Sequence, residues 1–588
     1  MSVASIRLAD HACISTLRTS TTFAFAPLRS YKLHTPRGHR YSSMASESLN
    51  SSQEDTNRRS DETATPYATR ATTTRPSMFP LSYRDGFAEW WAKLPVAQTE
   101  HKVLSYLPYL RHEPPTHLQT GTERRGSLES TDQNQQGEIS TNSLDDPYGP
   151  RRWSSSMVEL SGKDRALNEF SVERVGEQAD QHLVMLHGYG AGLGFFYKNF
   201  EPLSRLKGWQ LHALDMLGMG RSTRPSFKIK AKGREDAIRE AEAWFIDALE
   251  EWRIKRKIDR FTLLGHSLGG YMAVAYALKY PGHLNKLILA SPVGIPEDPY
   301  AVTADVAEPS ESTLAGEVTQ DQQSVVAQAA VPGSAPKTAD GSFITGQQPA
   351  QGPAQPPRRN LPKWFAYLWD ANISPFSLVR WTGPLGPRIV SGWTSRRFSH
   401  LPAEEAKALH DYSYSIFSLR GSGEYALAYI LAPGAFARSP LIHRVHGLGR
   451  QLIHNNSPLN PLPHAISTAK ACSKPAEDNP VPTATTSSEP EAPAKRENGL
   501  PVVFMYGDHD WMDVSGGHAA AARLEEEKRK VLANATPEER RSDEGSSKVV
   551  VIKRAGHHLY LDGWEEFNSV ILAEMEEVNR RERGRQPS

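Results

Sequence analysis

An α/β fold built on a mostly parallel sheet is what this sequence predicts, and three observations predict it. Compact apolar runs recur at residues 183–186, 209–214, 261–264 and 284–290, with helical stretches between them, notably 234–252. Strand–helix alternation of this kind is the pattern of a parallel sheet covered by helices on both faces. The rhythm then resumes near the C-terminus: a run at 502–505, a helix from about 517 to 531, a run at 549–552 and a closing helix from about 564 to 580. The third observation is local. The run 261–264 leads into Gly265-x-Ser267-x-Gly269 and then into residues 271–279, whose alanine, leucine and methionine content favours helix. A strand, a tight turn holding a serine, and a helix form the setting in which a serine can be exposed on a sharp corner, and glycines let strand and helix approach there. With 42 glycines among 588 residues, the five-residue pattern alone is weak, so this setting carries the weight.

Composition bounds the rest. Only 38% of the 588 residues are hydrophobic, and the mean hydropathy is −0.53, so much of the length reads as unable to bury a core. Lysine and arginine number 68 against 67 acids, a net charge of +1, which excludes a bulk electrostatic field for nucleic acid. The two cysteines, Cys13 and Cys472, lie in polar stretches, so neither a disulfide framework nor a cysteine-held metal is expected, and no metal or cofactor is called for. No apolar run approaches the length of a membrane span, which leaves a peripheral membrane surface as the expected kind of membrane contact.

Residues 1–77 divide into a basic, serine- and threonine-rich start and a polar tail. Arg7, Arg18, Arg29, Lys32, Arg37 and Arg40 stand against the single acid Asp10 in the first 45 residues, the composition of a mitochondrial transit peptide or of a basic disordered tail. Residues 78–112 hold two aromatic-rich amphipathic segments around Trp90 and Trp91, suited either to a bilayer interface or to packing on the domain. Residues 113–150 read as a polar linker, 151–296 as the first part of the sheet domain, and 500–588 as its second part. The intervening 297–499 read as a cap inserted in that domain. Within it, 301–358 and 457–499 are rich in small and polar residues and read as disordered, while 361–452 is dense in tryptophan and arginine and reads as helical.

A serine at its ordinary pKa is a poor nucleophile, so Ser267 requires a base within hydrogen-bond reach and a carboxylate to fix that base's tautomer. Candidates stand at the ends of the last two apolar runs. His557 follows the run at 549–552 and is the expected base, with His558 beside it as a packed or solvated neighbour. The loop after 502–505 carries Asp508, Asp510 and Asp513, of which Asp510 is the first candidate acid and Asp513 the alternative. An oxyanion site needs backbone N–H groups, expected from Leu268 and from Tyr189 in the glycine turn that starts at His187, with His187 bracing that turn. His557 and Asp562 also form a His-x4-Asp pattern that could serve acyl transfer as a base and its orienter, although Asp562 precedes the closing helix, where a carboxylate caps free N–H groups. The loop from Asp215 to Ser222 has glycines but no phosphate-loop lysine and reads as structural.

Taken together, the turn from His187 to Phe196 with Asn199 and Phe200, the loop from Asp215 to Ser222, Gly265 to Gly270, and Ala555 to His557 with Asp562 resemble the α/β-hydrolase domain 4/5 subfamily. So do the cap segments at 383–386, 423–433 and 437–440 and the tryptophan-bearing arm near Trp90, so that the likeness covers 78–112 and 155–578 apart from the two polar insertions. Within the subfamily, the 187–196 turn and the 508–513 loop are most similar to fungal mitochondrial deacylases of cardiolipin. The resemblance implies an α/β-hydrolase fold, with a helical cap and a serine carboxylic ester hydrolase of the phospholipase A type. It also implies a phospholipid substrate with cardiolipin leading, and a mitochondrial, inner-membrane-associated setting. It places Asp510 at the commonest acid position, while members lacking an aspartate there use the one corresponding to Asp513. The acyltransferase reading, through His557 and Asp562, and a non-enzymatic adaptor at a lipid surface stand as alternatives.

Overall fold

The computed structural model describes residues 79–110, 139–142, 146–297, 373–432, 435–453 and 495–585. The transit-peptide reading of the N-terminus, the disorder expected at 301–358 and most of that expected at 457–499 lie outside them. In chain order the strands are β1 Ile139–Asn142, β2 Arg151–Glu159, β3 Ala166–Arg174, β4 Gln181–Leu186, β5 Trp209–Leu214, β6 Phe261–His266, β7 Leu284–Ala290, β8 Leu452–Ile453, β9 Lys495–Arg496, β10 Pro501–Gly507 and β11 Ser546–Ile552. The α-helices before the cap are α1 Tyr83–Ala92, α2 Val96–Leu104, α3 Tyr197–Leu203, α4 Arg234–Lys255 and α5 Leu268–Lys279. Those of the cap are α6 Pro375–Trp381, α7 Gly386–Arg397, α8 Ala403–Ser418 and α9 Leu427–Ile430, and the C-terminal ones are α10 Val514–Ala533, α11 Pro537–Ser542, α12 Leu559–Asp562 and α13 Trp564–Arg583.

Among the described residues nine strands form one sheet, in the order β1-β2-β3-β5-β4-β6-β7-β10-β11. From β5 to β11 all pairings are parallel, whereas β1, β2 and β3 join antiparallel at one edge. The parallel part is where the sequence places it. The antiparallel edge is a correction: β1 lies inside the stretch read as a polar linker, and Asp146, just beyond it, hydrogen-bonds Arg151 at 2.6 Å. Its neighbour β2 mixes buried and half-exposed positions without a continuous apolar run, so no period stands out.

Along the central strands successive side chains go to opposite faces. Val184 and Leu186 of β4, Leu263 of β6 and Val502, Phe504 and Tyr506 of β10 join the core under α4, α5 and α10. Leu183, Met185, Leu264, Val503 and Met505 join the other core, with Phe200, Phe567 and Ile571 of α3 and α13. Both faces are therefore dry, which is why these strands read as unbroken apolar runs rather than as alternating ones.

The cap is helical where described. It leaves the sheet after β7 and returns at β10, and β8 pairs with β9 across the second polar insertion, bringing the two ends of that insertion together. Several of its arginines are engaged within the molecule. Arg380 is paired with Glu424 at 2.6 Å and Arg397 with Asp562 at 2.8 Å, and Arg388 lies over the Tyr83 ring at 3.7 Å.

Arm and cap form one packed body. Helix α2 lies on α8, and α1 lies on α7, so the arm is packed on the domain. Tyr83, Phe87, Trp91 and Leu94 of the arm, with Trp381 and Leu385 of the cap, nevertheless remain exposed. Among the described residues no helix is long and apolar enough to cross a membrane.

One buried polar node ties arm, core and cap. Glu100 of α2 accepts from Arg221 at 2.8 Å, from Asn168 of β3 at 2.9 Å and from Tyr412 of α8 at 3.2 Å. Burial pushes its carboxyl up to about 6, against the pull of Arg221. Removing one member of such a pair leaves a charge buried without its partner. Arg221→Met should therefore destabilise the chain by about 3–5 kcal/mol in urea unfolding, and adding Glu100→Gln should recover most of that loss.

Candidate functional site at the carboxyl ends of the strands

The sheet delivers its chemistry along one edge. The residues that follow β4, β6, β7, β10 and β11 lie side by side because those strands are parallel neighbours, with His266 level with Ala290 and Gly507 level with Ile552. Ligands and catalytic groups of open α/β sheets collect at such strand ends.

Ser267 stands between β6 and α5 with φ +53° and ψ −116°, a conformation that costs a non-glycine residue roughly 1–3 kcal/mol. It is over-determined by its surroundings. Its N–H donates to Ala290 O at 3.0 Å, and its carbonyl accepts from Gly270 and Tyr271 at 2.9 and 3.1 Å. A Cβ on Gly265 would overlap the Gly269 carbonyl, so strand and helix can cross there only without one. Helix α5 begins at Leu268, immediately after the serine, rather than at Tyr271 as the composition suggested.

His557 lies in the loop between β11 and α12. Its Nε2 is 3.0 Å from Ser267 Oγ, and its Nδ1 is 3.3 Å from Asp510 Oδ1. The acid side chain is fully buried and is held by the amides of Met512 at 3.0 Å and Gly507 at 3.4 Å. Asp513 is elsewhere: it is the N-cap of α10, accepting from Ser515 N at 2.8 Å. The structure thus brings together Ser267, His557 and Asp510, and leaves the alternative acid Asp513 out. Asp508 zips the two loops, taking the amides of Arg554 at 2.8 Å and Ala555 at 3.0 Å. Partial burial works against its charge, but those amides hold its carboxyl below the usual range.

A residue that sequence reasoning passed over joins them. Ser291 Oγ lies 2.7 Å from His557 Nδ1, closer than Asp510, and the serine is fully buried with φ +46°. For Nε2 to take the Ser267 proton, Nδ1 must carry hydrogen, and that hydrogen is shared between Asp510 and Ser291. Nothing in the local sequence marks Ser291 beyond its place directly after β7.

The two segments expected to supply oxyanion donors flank the serine. Leu268 N is the first amide of α5, where helix geometry leaves N–H groups without intrahelical partners. Tyr189 is the second residue of the turn closed by Ala191 N to Gly188 O at 3.3 Å, and its amide donates to no group among the described residues. A Cβ on Gly188 would stand 3.0 Å from Ser267 Cβ, so the turn presses directly on the serine. His187 braces it: Nδ1 donates to Gly188 O at 2.7 Å, and Nε2 accepts from Met216 N at 3.1 Å. Asp215 closes the structural loop, taking the amides of Leu193 and Arg221, each at 2.7 Å.

Asp562 has a different role from either one the sequence suggested. It is not the N-cap of α13, a position held by Gly563 without a side-chain bond, and it does not touch the His557 ring. Its carboxylate takes Gly556 N at 3.1 Å and Arg397 Nη1 at 2.8 Å, so it fixes the backbone just before His557 and ties that loop to α7 of the cap. His558 is buried and accepts from Arg397 Nε at 2.7 Å.

The surroundings are imidazole-rich yet uncharged. Burial holds His187 down to about 4, and burial together with neighbouring cationic groups holds His266 and His558 well below the usual range. Overhead the site is shut: Phe376 of α6 stacks on Tyr189 at 5.0 Å and on Phe417 at 4.3 Å, and Ser267 is 3% exposed. The one candidate metal cluster among the described residues, Glu89, His410 and Asp411, lies at the arm–cap contact, where Lys407 bridges Glu89 and Asp411.

A mostly parallel sheet, a serine on a strained strand–helix corner and a histidine and acid on the last two strand loops make up the α/β-hydrolase fold, and residues 181–322 match the family model for the alpha/beta hydrolase fold. Across 302 residues, half of this chain and 58% of the relative, it is 34% identical to a 1-acylglycerol-3-phosphate O-acyltransferase of Arabidopsis thaliana. It is 46% identical over 268 residues, 45% of the chain and 58% of the relative, to the 1-acylglycerol-3-phosphate O-acyltransferase ABHD5 of Homo sapiens. A (lyso)-N-acylphosphatidylethanolamine lipase of Bos taurus is 28% identical over 269 residues, 45% of the chain and 60% of the relative. The chain therefore spans somewhat under two thirds of the length of these relatives, and it is similar to them over about half of its own length.

Two outcomes follow from the geometry. Asp510→Asn should slow labelling of the protein by a fluorophosphonate by about 10²-fold or more, while Asp513→Asn should leave the rate within about threefold. The buried imidazoles fix the sign of the acid response. His187 binds a proton near pH 6.5 when unfolded but only near 4 when folded, so its contribution is complete above pH 6.5 and is lost as pH falls toward 4. Glu100 acts oppositely, contributing most below pH 4.5 and least above about 6, and Asp215 and Glu497, also raised by burial, act in its direction. They are set against three histidines and against carboxyls such as Glu169 and Asp508 that are held low. Urea unfolding at pH 7 and 4.5 should show a net loss of stability at the lower pH, of which about 2–3 kcal/mol is removed by replacing His187.

Proposed function

We propose that this chain is a serine acyl-hydrolase that removes a fatty acyl chain from a membrane phospholipid. The observation that carries the reading is His557 held between Ser267 Oγ at 3.0 Å and Asp510 at 3.3 Å, at a corner pressed by the glycine turn. In this mechanism Ser267 attacks the ester carbonyl as His557 takes its proton. The N–H groups of Tyr189 and Leu268 hold the developing oxyanion, and His557 then protonates the departing lysolipid oxygen. Water, activated by the same imidazole, releases the fatty acid. Asp510 and Ser291 keep the imidazole in the required tautomer throughout.

Lipid as the substrate is supported by the lipid-acting names of the relatives and by the exposed Tyr83, Phe87, Trp91 and Trp381, aromatic side chains suited to a bilayer interface. Cardiolipin, converted to monolysocardiolipin at a mitochondrial inner membrane, is the particular substrate and setting we propose on the resemblance of the 187–196 and 508–513 segments. Purified wild-type protein should release monolysocardiolipin from cardiolipin vesicles, and Ser267→Ala should abolish it. Unchanged release by Ser267→Ala would sink the reading.

A second reading is transfer of an acyl group to a lysophospholipid, as two of the relatives are named for. The contacts of Asp562 favour hydrolysis over a His-x4-Asp dyad, because that carboxylate faces Gly556 and Arg397 instead of the His557 ring. Labelled acyl-CoA separates the two: hydrolysis leaves phospholipid unlabelled with wild type and with Asp562→Asn alike, whereas a dyad acyltransferase labels it only in the wild type.

A further inference from the structure

Between the arm and the cap lies a cleft of about 560 Å³ that none of the proposed catalytic residues lines. Its walls are apolar at Trp90, Leu94, Val96 and Val379, and its cationic lining includes Arg221, Arg224 and Arg380. The three arginines are not equivalent. Arg221 is neutralised by Glu100 and Arg380 by Glu424, whereas Arg224 is in no ion pair with any described residue. Its contacts are carbonyls only: Nη1 to Gly218 O at 3.0 Å and Arg420 O at 3.1 Å, and Nη2 to Gly220 O at 2.9 Å. The Nε–H is buried and unpartnered, an orphan donor on the edge of the guanidinium that forks onto two oxygens of a phosphate. Burial draws its pKa down to about 10, which leaves it charged at neutral pH.

Arg224 also lines a second, small void bounded by Tyr189, Gly190 and Phe376. One side chain therefore separates the arm–cap cleft from the turn that supplies the oxyanion donor. Glu424 lines the same void and acts on Arg224 electrostatically, as does Asp215, but neither forms an ion pair with it. A cation so placed, an unmet hydrogen-bond donor and an apolar trough beside it together fit a ligand with a phosphate and a hydrocarbon chain.

We propose that this cleft binds an acyl lipid bearing a phosphate head, with Arg224 receiving the phosphate and the Trp90–Leu94–Val379 wall carrying the chain. The proposal deepens the phospholipid reading above and rests on it for the direction in which the ester points toward Ser267.

The test is a binding measurement on the full chain carrying Ser267→Ala, by titration calorimetry below the micelle concentration. The ligands are a short-chain lysophosphatidate, the monoacylglycerol of the same chain, and inorganic phosphate. Lysophosphatidate should bind at least about tenfold tighter than monoacylglycerol, and Arg224→Gln should erase that difference while moving monoacylglycerol affinity by less than about twofold. Ser418→Trp, at an exposed position on the cleft lining, should weaken both lipids and keeps the test decisive if Arg224→Gln fails to fold. Equal weakening of both lipids by Arg224→Gln would overturn the proposal, leaving Arg224 as a staple of the 218–220 loop. Phosphate binding as tightly as lysophosphatidate, or no effect of Ser418→Trp, would overturn it as well. Since binding requires no turnover, a chain without hydrolytic activity could still show the site, and the two readings fail separately.

Discussion

Everything in this site depends on Ser267 being kept in a backbone conformation it would not choose. At φ +53° the serine projects from the corner between β6 and α5, and it stays there because both flanks are anchored in the interior. β6 lies between β4 and β7 in the middle of the parallel sheet, α5 is buried along most of its length, and the Ser267 amide is bound to Ala290 of the neighbouring strand. The parallel register then does the rest. With the strand ends level, the loops after β4, β7, β10 and β11 reach the same corner, and each contributes one group to it.

The second constraint is electrical. Four imidazoles, His187, His266, His557 and His558, are packed in or beside the corner, and burial disfavours a proton on each of the three with depressed pKa values. Each is engaged as a neutral ring. His187 is held by one carbonyl and one amide, His266 reaches the His557 carbonyl at 2.9 Å, and His558 accepts from Arg397. Arg397 and Asp562 thereby connect the cap to the His557 loop, so displacement of α7 would be felt at the base of the proposed reaction.

The parallel strands and the serine corner were legible in the sequence because both are local: a strand buried on two faces is a continuous apolar run, and a sharp strand–helix turn needs glycines at fixed offsets. What depended on distant contacts was not. β2 has half-exposed positions and β3 buries polar residues such as Asn168 and Glu169, so neither shows a continuous apolar run or a clean alternation. Asp510 and Asp513 are three residues apart in one loop, and only their contacts separate them, although the Asp513-Val-Ser515 start of α10 carries a capping signal that favours Asp513 as a helix N-cap. Ser291, Arg397 and Arg224 acquire meaning only from groups far away in sequence.

The arm and the cap enclose the corner. Phe376 closes over Tyr189, Glu100 locks the arm to the core, and the exposed aromatic side chains lie on the outer surface of the same body. The claim beneath all of this is that one serine among many is the reactive one. Peptide mapping by mass spectrometry after reaction with a fluorophosphonate tests it directly. A single adduct on Ser267, absent when His557 is replaced by glutamine, is the result this account predicts. An adduct on another residue, or none on a folded chain, would contradict it.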